Sequence, residues 1–309
     1  MHVIDWLLNQ NPVVKRLTKK YLLNQVVDDH EAGWIYDYLA LYDMDEHLFG
    51  HGVYGPKFIS THYTMLELMD MEIDPSHPIY QDALRTLLSH EWSDHGYYRK
   101  HIHVDMCVAA MLLKMSAYGL SKDSKIYEMI DYILAYQMVD GGWNCCHERK
   151  PKPHISSVHT TLSVIEAFHQ VLKHNYTYRN DEIKIALSNG IAVLLSRELY
   201  KNKKTGQPIH PAMMKATYPP RWKYDIMRAL EVLASMNYPY DPRMADALTH
   251  LKTQMRGPLM RKGSKIPGRI HFPLEQGPYG AMNTLRMLKI LKAYDRETYH
   301  QMIQKDMNL

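Results

Sequence analysis

The segment QMVDGGWNC, residues 137–145, joins two runs of helical period: SKIYEMIDYILAYQM (124–138) before it and SSVHTTLSVIEAFHQVLK (156–173) after it. The Asp-Gly-Gly step is a turn signal, and Trp143 follows it as a large apolar body. The run before the turn is the more amphipathic of the two. The run after it opens behind a Pro- and Ser-bearing loop and is rich in apolar residues at three-and-four spacing. Working outward, the same alternation recurs along the chain. Helices of the apolar kind are PKFISTHYTMLELM (56–69), HVDMCVAAMLLKMSAYG (103–119), PPRWKYDIMRALEVLASM (219–236) and PYGAMNTLRMLKILKAY (278–294). Helices of the amphipathic kind are PIYQDALRTLLSHEW (78–92), DEIKIALSNGIAVLLSREL (181–199) and DPRMADALTHLKTQM (241–255).

Aligned on the polar residue near each start, the apolar helices carry His62, Cys107, His159, Asp225 and Asn283, at steps of 45, 52, 66 and 58 residues. That spacing suits a helix pair with its loops. The openings DPSHP (74–78) and DPRMA (241–245) read as Asp caps with a Pro just inside the helix. No strand pattern interrupts the series, so the fold class is all-α.

Composition narrows the class further. The chain has 309 residues, and 46% hydrophobic with 23% charged residues excludes wholesale disorder. A net charge of +4 is too small to advertise a nucleic-acid surface. Three cysteines cannot build a disulfide framework, which points to a reducing compartment. No apolar run reaches transmembrane length, and the basic residues of MHVIDWLLNQNPVVKRLTKKYLL come too late for a secretory signal. The expectation is a soluble cytoplasmic protein of open oligomeric state. With Tyr 23 and His 19 against Phe 4, apolar bodies with polar tips suit either solvated faces or a wet cavity.

The 137–145 turn is similar to the Gln-…-Asp-Gly-x-Trp motif of squalene and hopene cyclases. YDMDEHLFG (42–50) and HEWSDHGYY (90–98) are degenerate copies. Over residues 34–295 the chain thus resembles the terpenoid-cyclase and protein-prenyltransferase superfamily. The resemblance implies one domain, 1–309, folded as an α/α toroid of the α6/α6 type with five to six helix pairs. Residues 1–33 would be an N-terminal helical extension packing at a sixth position. An open solenoid of HEAT type uses pairs of similar length; the Gly-Gly-Trp turn and the apolar helices favour the toroid.

VDMC (104–107) with VHTT (158–161) resembles the prenyltransferase β subunit, whose zinc is held by Asp-x-Cys on one inner helix and His-Thr on a later one. The resemblance implies Zn2+ on Asp105, Cys107 and His159, with Cys145 as a reserve fourth ligand. Such a set leaves a position open for water or a thiol. Arg99 stands where the family's arginine holds a prenyl diphosphate, but Ile102 replaces the family's lysine, with Lys100 and His103 nearby. Cys145-Cys146-His147 is similar to the Cys-His pair of the lanthionine synthetase cyclases, without the rest of their signature. Asp43-Met44-Asp45-Glu46 lies in a turn of the outer kind and reads as a solvated charge cluster, not a cyclase proton donor.

In a toroid, the aligned polar residues would ring one mouth of the cavity. His62, Tyr224, Asp225 and His271 are then the candidate acids and bases, with Glu275 in the loop of His271. Lys57, Arg99, Arg221 and Trp222 are candidates for substrate binding through an anionic head group. Three functions remain open at this level. One is a zinc-assisted enzyme of the prenyltransferase or cyclase type acting on an apolar, isoprenoid-like substrate. The second is a metal-free enzyme using His, Tyr and Asp as acid and base. The third is a helical scaffold binding a peptide or lipid. The expected partner is a small-molecule or lipid-like substrate, with no nucleic acid.

Overall fold

The computed structural model describes residues 1–92, 104–147, 151–263 and 267–305. These are mostly helical. The N-terminal helices are α1 (Val3–Leu8), α2 (Pro12–Tyr21) and α3 (Trp34–Leu39). The apolar runs of the sequence become α4 (Thr61–Asp70), α6 (Met106–Tyr118), α8 (Val158–Lys173), α10 (Ile226–Ser235) and α12 (Ala281–Tyr294). The amphipathic runs become α5 (Pro78–Glu91), α7 (Lys125–Ala135), α9 (Asn180–Leu195) and α11 (Ala245–Thr253), and α13 (Arg296–Gln304) ends the series. Two antiparallel hairpins, β1 (Tyr42–Asp43) with β2 (Leu48–Phe49) and β3 (Met255–Arg256) with β4 (Leu259–Met260), are clasps of two residues a strand. Among the described residues no helix is long and apolar enough to cross a membrane.

Each apolar helix packs against the amphipathic helix that follows it, α4 on α5, α6 on α7, α8 on α9, α10 on α11 and α12 on α13. Apolar helices also touch each other: α4 meets α6, α6 meets α8 and α10 meets α12. The N-terminal segment is integral to this packing. Helix α2 contacts both α12 and α3, α3 contacts α4, and Val13, Val14 and Leu17 are buried.

Local chemistry sets the helix starts. Asn11 caps α2 through Val13 N at 3.0 Å, ahead of Pro12. One of the two Asp-Pro openings differs from the expectation. Asp241 does cap, taking Arg243 N at 2.9 Å in the 3₁₀ turn that leads into α11. Asp74 instead closes a turn onto Ser76 N, and His77 caps α5 through Ile79 N at 3.2 Å. The proline at the first position of α5 is Pro78, three residues after Pro75, so the cap moves with it.

The 137–145 turn packs as its composition demands. Gln137 Nε2 donates to the carbonyls of Gly141 and Ala186 at 2.8 and 3.1 Å, tying the turn to α9. Asp140 accepts from Ser156 N and Oγ, both at 2.9 Å, tying it to the approach to α8. Gly141 has φ +92°, which an L side chain rarely adopts. Trp143 is fully buried, donates Nε1–H to Ile133 O at 2.7 Å and meets Phe168 edge-on at 6.0 Å. Gly190 of α9 makes room for the indole, since a Cβ there would stand 2.9 Å from a ring carbon.

Candidate functional site

The polar residues at the helix starts are mostly consumed by partners. His62, the second residue of α4, is fully buried with Nδ1 2.8 and 3.0 Å from the two oxygens of Glu91. Its Nε2 has no hydrogen-bond partner among the described residues. Asp225 is the cap of α10, taking Arg228 N at 2.8 Å and Thr217 N at 3.2 Å. Tyr224 donates its hydroxyl to Leu199 O. Asn283 N donates to Glu275 at 3.0 Å, which gives Glu275 a structural task in the loop before α12. His271 Nε2 lies 2.9 Å from Thr64 Oγ1, its ring edge-on to Tyr38, and burial lowers its pKa.

The expected head-group cations are also occupied. Lys57 Nζ lies over the rings of Tyr54 and Trp222 at 5.2 and 5.8 Å. Arg221 pairs with Glu67 at 2.7 Å while its guanidinium covers the Phe58 ring at 4.3 Å. Trp222 Nε1 is buried without a partner among the described residues. Arg99 lies outside the described residues, as do Lys100, Ile102 and His103.

Cys107 and Cys145 do come together, across the gap between α6 and the 137–145 turn. Cys145 Sγ accepts from Cys107 N at 3.1 Å and from Thr160 Oγ1 at 3.2 Å. The Cys107 thiol also bonds to Cys145, which pulls the Cys145 pKa down and pushes that of Cys107 up. His159 does not join them. It faces Trp222 at 6.0 Å and Tyr224 at 5.8 Å, and burial, reinforced by Arg228, holds its pKa at about 4. Among the described residues no group of three or more His, Cys, Asp or Glu could hold a metal ion. The ligand set implied by the resemblance therefore does not fit zinc, which takes at least three protein ligands around one point. Asp105 sits before the first residue of α6 without capping it. Cys146 N bonds to Asn144, and His147 stacks on Tyr136 at 4.4 Å, so that pair is a turn element. One expected outcome follows: limited alkylation with iodoacetamide just below the usual thiol pKa should label Cys145 ahead of Cys107, since the thiolate reacts. Peptide mapping that finds Cys107 labelled first would contradict this geometry.

The cavity lies elsewhere. A space of about 390 Å³ is lined from α2, α4, α6, α8, α10 and α12, mostly by the later turns of α2, α4, α6 and α8. Its walls carry charges that the apolar helices hold singly or in pairs. Lys114 of α6 lies 3.7 Å from Asp70 of α4 and 3.4 Å from Glu166 of α8. Glu166 receives a bidentate pair from Arg228 of α10, Nε at 2.9 Å and Nη2 at 2.7 Å. Glu231, also of α10, takes Arg286 Nε at 2.6 Å and Lys289 Nζ at 2.9 Å from α12. Lys292 of α12 then donates to Tyr21 O at the end of α2 at 2.7 Å, and Arg16 of α2 donates to Met71 O at the end of α4.

The carboxyls of this belt are not equivalent. Burial alone would raise Glu166 and Glu231, but their cations overcome it and hold each pKa at about 2. Asp70 goes the other way. Burial raises its pKa, because Lys114 is too distant to offset the lost hydration and Glu166 and Glu231 repel its charge. About 24% of the Asp70 side chain stays accessible. Two buried polar atoms on the cavity residues have no partner among the described residues: Arg286 Nη2 and the Tyr218 hydroxyl.

None of these cavity charges stood among the candidates read from the sequence except Arg221. The signal was present as one or two charges inside otherwise apolar helices, such as Lys114 in MLLKMSAY and Glu166 in SVIEAF. A charge on a buried helix must be paired or used. No protein-family model and no curated protein matches the chain.

Proposed function

We propose that the helix pairs close into an α/α toroid and that its central cavity is the active site of an acid–base enzyme for a small polar molecule. The toroid reading is supported by contacts that return on themselves. The polar belt runs α4, α6, α8, α10, α12, α2 and back to the end of α4 through Arg16, a circuit an open solenoid does not make. Such a toroid would resemble that of the terpenoid-cyclase and prenyltransferase class, but the walls favour different chemistry. Seven cations and four carboxylates line the space, so an isoprenoid tail would have to desolvate ionic groups without replacing their hydrogen bonds. This favours the metal-free acid–base reading.

The observation that carries the proposal is the uneven pairing of carboxyls in one cavity: among the described residues Glu166 and Glu231 each meet two cations within 3.4 Å, whereas Asp70 meets Lys114 alone, at 3.7 Å. Asp70 is displaced towards the protonated form while Glu166 and Glu231 are held ionised, the pattern by which environment separates a proton donor from electrostatic groups. Asp70 is the general acid, and Lys114, Arg228 and Arg286 stabilise negative charge that develops on the substrate.

The test is to incubate purified protein with a small-molecule cell extract and compare the extract before and after by mass spectrometry. Wild type is expected to deplete a polar anion and form a product, and Asp70→Asn to lose that conversion while still retaining the anion. Asp70→Asn should also hold or slightly raise the melting temperature, because a neutral amide avoids the cost of ionising a partly buried carboxyl. Apolar lipids as the retained species, or undiminished conversion by Asp70→Asn, would overturn the assignment.

A further inference from the structure

Arg286 is 3% exposed and three of its guanidinium contacts are spent on the protein: Nε on Glu231 at 2.6 Å, and Nη1 on Thr217 O at 2.9 Å and Asn283 Oδ1 at 3.0 Å. These hold the fork rigidly and leave Nη2, buried and without a partner among the described residues, on a residue of the cavity wall. The bond to Thr217 O ties the guanidinium to the residue before Tyr218, whose hydroxyl is likewise buried and without a partner among the described residues. Tyr218 belongs to the walls of both the 390 Å³ cavity and a second one of about 200 Å³ beyond it. An unmade hydrogen bond on a buried guanidinium is costly, and buried polar groups in folded proteins are almost always satisfied.

We infer that Arg286 Nη2 and Tyr218 Oη form a subsite for a substrate carboxylate, the group by which the cavity recognises its ligand. One cationic and one neutral donor on the same cavity wall match the two oxygens of a carboxylate. A phosphate dianion brings a third oxygen and a second charge, and Glu231 already neutralises part of the charge on the same guanidinium. The space is on the order of a dozen waters at ~30 Å³ each, enough for a molecule of sugar-acid or dicarboxylic-acid size. The inference rests on the cavity being the functional site, but it concerns binding and is independent of the proton donor assigned above.

The experiment is titration calorimetry of the full chain with succinate, D-glucuronate and inorganic phosphate, with D-glucose as the uncharged control. At least one of the two carboxylates is expected to bind, more tightly than phosphate, and glucose not at all. Tyr218→Phe should weaken that carboxylate about tenfold, the worth of one good hydrogen bond in a buried site, while its melting temperature stays level or rises because an unsatisfied hydroxyl has gone. Asp70→Asn should keep the binding, so that loss of turnover and loss of the subsite are read separately. Neither carboxylate binding, phosphate binding more tightly, or Tyr218→Phe binding as well as wild type would each overturn the assignment.

Discussion

Glu166→Ala is expected to lower the unfolding free energy by about 3–5 kcal/mol, because it leaves the buried Arg228 guanidinium without its bidentate partner. Arg228 would keep only its bond to Lys223 O at 2.9 Å, far less than a full positive charge needs when it is 3% exposed. The effect carries a pH signature. The Glu166 pKa is depressed from its ordinary 4.5 to about 2 in the folded protein. A carboxyl depressed on folding contributes stability that is fully present above its unfolded pKa and is lost as pH falls through the folded one. The difference between wild type and Glu166→Ala should therefore be constant above about pH 4.5 and shrink as the pH approaches 2. Urea unfolding at a series of pH values, followed by far-ultraviolet circular dichroism, measures both. A loss below 1 kcal/mol at neutral pH, on the order of a solvent-exposed pair, would mean the ion pair is surface-like and the cavity wall is not built as described.

Trp143→Ala is expected to cost about 3–5 kcal/mol as well, the range for large buried aromatics, through a different mechanism. The indole fills the space between α7, α8 and α9, and removal leaves a cavity bounded by Gly190, which has no side chain to collapse into it. The lost Nε1–H bond also strands Ile133 O. Trp143→Phe should recover part of the packing and none of that hydrogen bond, so its midpoint should fall between the two. No pH dependence is expected between pH 4 and 8, since the groups that hold the indole, Ile133 O, Phe168 and Gly190, do not titrate. This separates a packing loss from the electrostatic loss at Glu166. An unchanged denaturation midpoint for Trp143→Ala would remove the 137–145 turn from the packing of the fold.

The helices and their order were legible because they are local facts. Apolar residues at three-and-four spacing mark α4, α6, α8, α10 and α12, and Gln137, Asp140 and Trp143 occupy the places their turn motif requires. The caps were half legible: Asp241 caps as expected, whereas His77 rather than Asp74 begins α5, and Asp225, read as a candidate acid or base, caps α10. The pairing of Cys107 with Cys145 was partly anticipated by placing both at one helix mouth. The third member, His159, faces Trp222 and Tyr224 instead.

The location of the charged cavity was not legible, and the reason is geometric. The sequence attends to helix starts, where motifs and caps concentrate, while the cavity is lined mostly from later turns of the same helices. There the informative residues are single charges without any motif around them. That Glu166 or Arg286 must find a partner follows from the sequence alone, since each sits on an apolar helix and an isolated buried charge is prohibitively costly. Which partner it finds does not follow. Glu166 and Arg228 stand 62 residues apart, and Arg286 and Glu231 stand 55 apart. Local periodicity thus determined the helices, their faces and the turn of Trp143. The tertiary structure alone decided which charges meet, and so which carboxyl is neutralised by cations and which, Asp70, is left raised, because a pKa depends on distances in space that sequence separation does not encode.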